Sequence, residues 1–123
     1  GVNVHIFHSP WNKWDFQSFD KQVQSALKKY PQADAIFGPD LIALAALKKA
    51  KEYQKSVPEE LKLISYDGTI VTSMYPIEIT SGCQNIELLA KTAVDVLVQQ
   101  INGKKSKKTE YILDIVLKKR DTT

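Results

Sequence analysis

The stretch ADAIFGPDLIALAALKKAKEYQKSVPEELKLISYDG, residues 33–68, decides the fold. It opens with a short apolar run that ends in Gly-Pro, which predicts a strand over Ala33–Gly38. The Ala- and Leu-rich segment that follows is a strong helix former, and Asp40 is placed to cap its N-terminus. A second apolar run predicts a strand over Leu61–Tyr66, ended by the turn pair Asp67-Gly68. Strand, helix and strand in this order are typical of parallel pairing through a right-handed crossover.

The same alternation extends to both sides of this stretch. Alternating apolar positions predict a strand over Val2–Phe7, and spacings of three and four predict an amphipathic helix over Asp15–Tyr30. Beyond the central stretch we predict an extended segment over Ile77–Thr80, a helix over Ile86–Ile101 capped by Asn85, and a last strand over Tyr111–Leu117. We therefore predict an α/β fold with a doubly wound, mainly parallel sheet.

The composition excludes several classes of protein. Hydrophobic residues make up 43% and charged residues 25%, as in ordinary folded domains, and a net charge of +3 does not favour nucleic-acid binding. Cys83 is the only cysteine, so no internal disulfide can form; a buried, inert thiol in a reducing cytoplasm is expected. No apolar run approaches the roughly 20 residues that span a bilayer, and the first residues lack the pattern of a signal peptide. We expect a cytoplasmic protein without a membrane partner.

The sequence contains no recognisable catalytic or metal-binding set. It has no GxSxG, no Gly-rich phosphate loop and no CxxC pair, and His5 and His8 have no obvious acidic partner in sequence. We therefore predict a protein that is not an enzyme and that uses no metal or cofactor.

Ligands of doubly wound sheets bind beyond the C-terminal ends of the strands, and this rule directs attention to SPWNKW (9–14), Gly38-Pro39-Asp40 and Asp67-Gly68. Asp67 closes a strand, where its carboxylate either accepts hydrogen bonds from ligand hydroxyls or only opens the Asp-Gly turn. Helix capping explains Asp40 better than ligand contact does. Trp14 either presents its flat face to a sugar ring or covers the core. Gln84 precedes a helix, so capping and ligand contact are both open.

Four stretches resemble, in order and spacing, the lactose-repressor (LacI/GalR) family of bacterial transcription regulators. They are DAIFGPDLIALAALKKAKE (34–52), VPEELKLISYDG (57–68), ITSGCQNIELLAKTAVDVLVQQI (79–101) and ILDIVLKKRDTT (112–123). The first is similar to the family's strand and Ala/Leu helix, and the second to its Val-Pro segment and the strand ending in Tyr-Asp. The third is similar to its Thr-x-x-Gln segment and helix, and the fourth to its last strand ending in Arg-x-Thr. The resemblance implies a periplasmic-binding-protein-like fold, present here in incomplete form.

The resemblance also implies an effector site. The family's effector-binding Asp matches Asp67, the Gln beside the effector matches Gln84, and the aromatic that stacks on the effector is best matched by Trp14. The residue before the helix-opening Asp40 usually contributes an amide or a hydroxyl to the effector. Here that residue is Pro39, which has neither and so departs from the family pattern.

A division of the chain follows from the same resemblance. Residues 1–78 match the C-terminal subdomain of the effector-binding core. Residues 79–104 match a crossover and a helix of the N-terminal subdomain, and residues 105–123 match the return strand and the C-terminus. The family's helix over Asn85–Ile101 packs on the N-terminal subdomain, so we expect its apolar face to be exposed here and to be covered by association or by exchange of elements.

The resemblance implies the sugar-binding and dimerisation part of a transcription regulator. The positions that match the family's dimer contacts are Leu44, Met74 and Tyr75. Operator DNA is expected to be bound only through a head domain that these residues do not include. The segment Tyr66–Thr69 favours a sucrose- or ribose-type regulator. The alternative is a sugar-binding transport protein on the same fold, although the Val57-Pro58 and Gln84 motifs favour the regulator. Both require Asp67 and Gln84 to converge at the mouth of a parallel sheet.

Overall fold

Four strands and three helices make up the computed structural model, which describes residues 1–8, 15–74, 76–104, 108 and 110–123. In chain order they are α1 (Phe16–Lys29), β1 (Ala35–Pro39), α2 (Asp40–Glu52), β2 (Lys62–Asp67), a short 3₁₀ helix (Ile70–Ser73), β3 (Thr80–Gln84), α3 (Ile86–Ile101) and β4 (Ile115–Lys118). The strands form one sheet in the order β1-β2-β3-β4; β1, β2 and β3 are parallel, and β4 is antiparallel to β3. The predicted α/β class with a mainly parallel sheet is confirmed.

Side-chain caps fix where two of the helices begin. The Asp15 carboxylate accepts from the Ser18 amide at 2.8 Å before α1, and the Asn85 side chain accepts from the Leu88 amide at 2.9 Å before α3. The predicted cap at Asn85 is therefore confirmed. The predicted cap at Asp40 is wrong, because Pro39 holds the N-cap position of α2 and Asp40 is already the first helical residue. The Asp40 carboxylate is instead used by the loop that follows β2.

The hydrophobic core lies between α1, α2 and the sheet. Helix α1 contributes three large side chains at spacings of four, and α2 faces them with alanines, which let the two helices approach closely. Leu63 on β2 and Leu61, just before this strand, complete the core, and both are fully buried. The core members contributed by the two helices are Phe19, Val23, Leu27, Ala45, Ala46 and Ala50.

The strand predicted over Val2–Phe7 does not form. Within the described residues the segment has no strand pairing, and Val2 and Ile6 are 90% and 76% exposed. A strand needs a neighbour for its backbone groups, and this segment lies over α1 instead, with the His5 ring stacked on Tyr30 at 3.7 Å. This segment, α1 and β1 line a cleft of about 1010 Å³, and β1 is an edge strand of the sheet formed by the described residues.

Two further strand boundaries differ from the prediction. The extended segment predicted over Ile77–Thr80 begins too early, because β3 runs from Thr80 to Gln84 through small residues that the hydrophobic pattern undervalues. Ser81, in the middle of β3, is fully buried with its hydroxyl 2.6 Å from that of Ser65 on β2. The last strand is shorter than predicted and runs over Ile115–Lys118.

Helix α3 exposes apolar side chains, as expected. None of its residues is buried, and Leu97 and Ile101 are 56% and 75% exposed. A shallow groove between α3 and the segment before β4 is lined by Val96 and Leu113. Helix α3 therefore contributes little to the core formed by α1 and α2.

The C-terminal tail, residues 119–123, forms hydrogen bonds to both β2 and β3 at the end where their pairing starts. Thr122 is fully buried, and its hydroxyl donates to the Leu63 carbonyl at 2.6 Å and accepts from the Thr80 amide at 3.0 Å. The Thr122 carbonyl accepts from the Leu63 amide at 3.0 Å. Beside it, the Arg120 guanidinium donates to the Ile79 carbonyl at 2.7 Å and to the Ser81 hydroxyl at 3.2 Å. The tail thus supplies the hydrogen bonds that neither strand provides there.

We expect Thr122→Val to lower the free energy of unfolding by about 2 kcal/mol, because the change keeps the shape but leaves a buried carbonyl and a buried amide without their partner. Urea unfolding followed by circular dichroism measures the difference. Thr92→Val, the same change at a half-exposed position of α3, should cost less than about 0.5 kcal/mol. Equal effects of the two changes would contradict the role of the tail.

An ion-pair cluster joins α1 to α2 at the edge of the core. Asp20 on α1 accepts from Lys48 at 2.9 Å and from Lys49 at 2.8 Å, and Lys49 also contacts Glu52 at 2.6 Å. The Lys49 side chain is only 7% exposed. Hydrogen bonds and charge from Lys49 and Lys48 lower the pKa of Asp20 below its ordinary 3.8, and hydrogen bonds from Asp20 and Glu52 raise the pKa of Lys49.

This cluster predicts a pH-dependent contribution to stability. Because the pKa of Asp20 is lower in the folded state, its contribution is complete above the ordinary value of 3.8 and is lost as the pH falls through the lower folded value. Asp20→Asn should therefore destabilise the protein at neutral pH, and its difference from the wild type should shrink in acid. Urea unfolding at several pH values measures it. Asp95→Asn breaks an exposed ion pair to Lys91 and should change little at any pH.

Candidate functional site

The parallel register of β2 on β3 brings two polar side chains together at the C-terminal edge of the sheet. Asp67 pairs with Cys83, so Gln84, the last residue of β3, lies beside the end of β2. The Gln84 side-chain amide donates to the Asp67 carboxylate at 2.6 Å, and both residues are half-buried. The convergence expected of these residues is present, while their contact with a ligand stays a prediction.

The backbone of the turn after β2 is tightly constrained. Asp67 has φ +104°, a conformation that non-glycine residues rarely adopt, and Gly68 has φ +66°. A Cβ at Gly68 would overlap the Sγ of Cys83, so only glycine lets the turn pack on β3. The Asp67 carboxylate is therefore presented from a turn whose shape the neighbouring strand limits.

Asp40 ties this turn to the start of α2. The residue is 5% exposed, and its carboxylate accepts from the Gly68 amide at 3.2 Å, the Thr69 amide at 2.7 Å and the Thr69 hydroxyl at 2.6 Å. Three donors on two consecutive residues thus converge on one carboxylate. The Thr69 carbonyl in turn accepts from the Thr72 hydroxyl at 2.8 Å, which joins the turn to the 3₁₀ helix.

The remaining predicted residues are distributed around this centre. Pro39 is half-buried at the end of β1, where the register pairs it with Tyr66, next to Asp67. Of the positions predicted for a dimer, Leu44 on α2 is half-buried and Met74, after the 3₁₀ helix, is 70% exposed. Trp14 and Tyr75 lie outside the described residues.

The arrangement suits recognition of neutral hydroxyl groups. A carboxylate accepts hydrogen bonds strongly and a side-chain amide both donates and accepts, which matches the donor and acceptor pattern of neighbouring sugar hydroxyls. In the described part of the chain, no group of three or more His, Cys, Asp or Glu side chains is placed to hold a metal ion. Cys83 is buried, with its thiol 3.6 Å from the Ser81 carbonyl.

The sequence patterns did not identify the polar residues that hold the turn after β2 and the 3₁₀ helix in place. Thr69, Thr72 and Arg120 all bond to backbone or to each other around the 3₁₀ helix, and Arg120 donates to the Thr72 hydroxyl at 3.1 Å. The Arg-x-Thr ending was visible in the sequence as a family motif, but its spacing gives no indication of which strands it joins. Nothing in the sequence places Thr69 opposite Asp40, because 29 residues separate them.

Comparison with known proteins agrees with the fold. The model of the periplasmic binding protein-like domain family matches residues 2–123. The chain is 36% identical over 85 residues to the sucrose operon repressor of Streptococcus mutans, covering 68% of this chain and 26% of that protein. It is 29% identical over 101 residues to the transcriptional regulator CelR of Thermobifida fusca, covering 81% of this chain and 30% of that protein.

Solved structures of transcription regulators have a similar fold. A CelR–cellobiose complex superposes with a TM-score of 0.83 and 27% identity, covering 89% of this chain and 34% of that one. The lac repressor dimer bound to operator and the anti-inducer ONPF superposes with a TM-score of 0.80 and 30% identity, covering 89% of this chain and 38% of that one.

The chain matches only part of the length of its relatives. It spans about 26–30% of the length of the two curated relatives described above, and in them it corresponds to the effector-binding portion. No helix among the residues that the structure describes is long and apolar enough to cross a membrane. The chain belongs to the periplasmic binding protein-like domain family, in the group formed by the effector-binding cores of LacI-type transcriptional regulators.

Proposed function

We propose that this chain is the carbohydrate-binding and dimerisation part of a LacI-type transcription regulator. The observation that supports this best is the hydrogen bond of 2.6 Å between Gln84 and Asp67 at the C-terminal edge of a parallel sheet. That edge is where open α/β sheets bind ligands, and these two side chains offer the acceptors and the donor that hydroxyl pairs need. Trp14, Pro39 and Asp40 complete the set of residues that we assign to the site or its border.

The proposal includes an effector that changes the equilibrium between two states of a dimer. An effector shifts such an equilibrium only by binding one state better than the other. Leu44, Met74 and Tyr75 are the positions proposed to contact the second subunit, and the exposure of Met74 leaves its side chain available for such a contact. Operator DNA is proposed to be bound through a separate head domain of the whole regulator.

The role proposed here is binding without catalysis, in the cytoplasm, where a regulator meets its operator. The relatives described above are transcriptional regulators, and the two side chains that meet at the edge of the sheet form a hydrogen bond suited to binding. Sucrose- or ribose-type effectors are the first candidates, since repressors named for sucrose and ribose operons are among the relatives.

Residues 79–104 are proposed to be the crossover to the second subdomain, between the parts formed by residues 1–78 and 105–123.

Asp67→Ala should abolish effector binding by the whole regulator, and Asp67→Asn should weaken it about 10- to 100-fold, because the amide keeps the shape but loses a charge-assisted hydrogen bond. Cellobiose, lactose, sucrose and ribose are first screened for the sugar that raises the melting temperature of the wild type most. Isothermal titration with that sugar then measures the change in affinity.

The control is Asp34→Asn, the same change at an exposed position just before β1, at the opposite edge of the sheet. It should leave effector binding and effector-induced release of operator DNA as in the wild type. Wild-type affinity in Asp67→Ala would show that Asp67 is not in the effector site.

A further inference from the structure

The carboxylate of Asp40 is almost completely buried, and burial of a charged group needs a compensating set of hydrogen bonds. Among the described residues it accepts three bonds, all from the two residues after Asp67: the Gly68 amide, the Thr69 amide and the Thr69 hydroxyl. Both carboxylate oxygens are used, Oδ1 by Gly68 and Oδ2 twice by Thr69. The residue therefore interacts with the turn of the site rather than with the end of its own helix.

The chemistry of this contact requires a carboxylate. Three donors converge on one side chain, and only an ionised Asp or Glu offers acceptors alone. An asparagine would place its own amide hydrogens against the Thr69 amide or the Gly68 amide. The position of Asp40 in the first turn of α2 also favours a negative charge, because the helix N-terminus carries partial positive charge.

The turn needs such support because its conformation is unfavourable by itself. Asp67 has φ +104°, and the Gln84 side chain restrains its carboxylate from only one side. Asp40 holds the next two residues from the other side, so the direction in which Asp67 points is fixed between β3 and α2. A backbone free to relax at Asp67 would turn this carboxylate away from Gln84.

We propose that Asp40 is a positioning residue of the carbohydrate site: its bonds to Gly68 and Thr69 hold the turn in which Asp67 faces Gln84, and it does not itself contact the ligand. This inference rests on the proposed function for the identity of the ligand. It replaces both roles considered for Asp40 from the sequence, the helix cap and the direct ligand contact, with a role through the backbone of the turn.

Three variants of the whole regulator test the inference. Asp40→Asn replaces one of the two acceptor oxygens with a donor, Thr69→Val removes only the hydroxyl bond, and Thr69→Ser keeps it. By titration with the sugar that stabilises the wild type most, we expect the effector Kd to rise at least about tenfold in Asp40→Asn, by about threefold to tenfold in Thr69→Val, and to stay near the wild-type value in Thr69→Ser. Operator affinity without effector and the melting temperature show whether the variants remain folded.

A second readout needs no ligand. Hydrogen exchange should show loss of protection at the Gly68 and Thr69 amides in Asp40→Asn, with protection of Ala45 and Ala46 inside α2 unchanged. If Asp40→Asn weakens binding while exchange at the turn stays as in the wild type and Thr69→Val binds normally, Asp40 touches the ligand and the inference is wrong. Loss of protection at the turn with an unchanged Kd overturns it equally.

The two proposals can fail separately. If the wild-type regulator binds none of the four sugars, the proposed function fails. The role of Asp40 in the turn is still tested without ligand, because unchanged hydrogen exchange at Gly68 and Thr69 in Asp40→Asn would overturn it. If Asp40→Asn does not fold, the comparison of Thr69→Val with Thr69→Ser decides: equal Kd values and equal exchange at the turn contradict the inference.

Discussion

The site depends on the parallel register between β2 and β3. Pairing of Asp67 with Cys83 makes Gln84 the next residue along, and a shift by one residue would turn Gln84 to the other face of the sheet. The register is secured at the opposite end by the tail, where Thr122 bonds to Leu63 on one strand and to Thr80 on the other. The two ends of these short strands therefore cooperate: one carries the proposed ligand contacts, and the other keeps the strands aligned.

The class of fold was predictable from local patterns because each pattern has a short-range cause. The spacing of apolar residues defined α1, and the side chain of Asn85 marked the start of α3. The convergence of Asp67 and Gln84 was also predictable, since parallel strands end at the same edge of a sheet. What the two side chains bind depends on groups that these patterns do not describe.

The errors have a common cause in contacts between residues far apart in sequence. Asp40 matches the pattern of a helix cap, yet donors 28 and 29 residues away claim its carboxylate, and a local rule has no access to them. Val2–Phe7 alternates like a strand but finds no pairing partner among the described residues. The strand β3 was misplaced because Ser81 and Gly82 are small, and its burial comes from hydroxyl bonds and neighbouring strands rather than from apolar side chains.

The close approach of Gly68 to Cys83 has a practical consequence. The chain has one thiol, and the turn covers it so tightly that Cys83 is only 8% exposed. Opening of the turn away from β3 would expose this sulfur to an alkylating reagent, so the rate of modification reports on that opening. Occupancy of the neighbouring edge by any molecule that bridges Asp67 and Gln84 would slow the reaction, which makes the native cysteine a built-in probe of the closed turn.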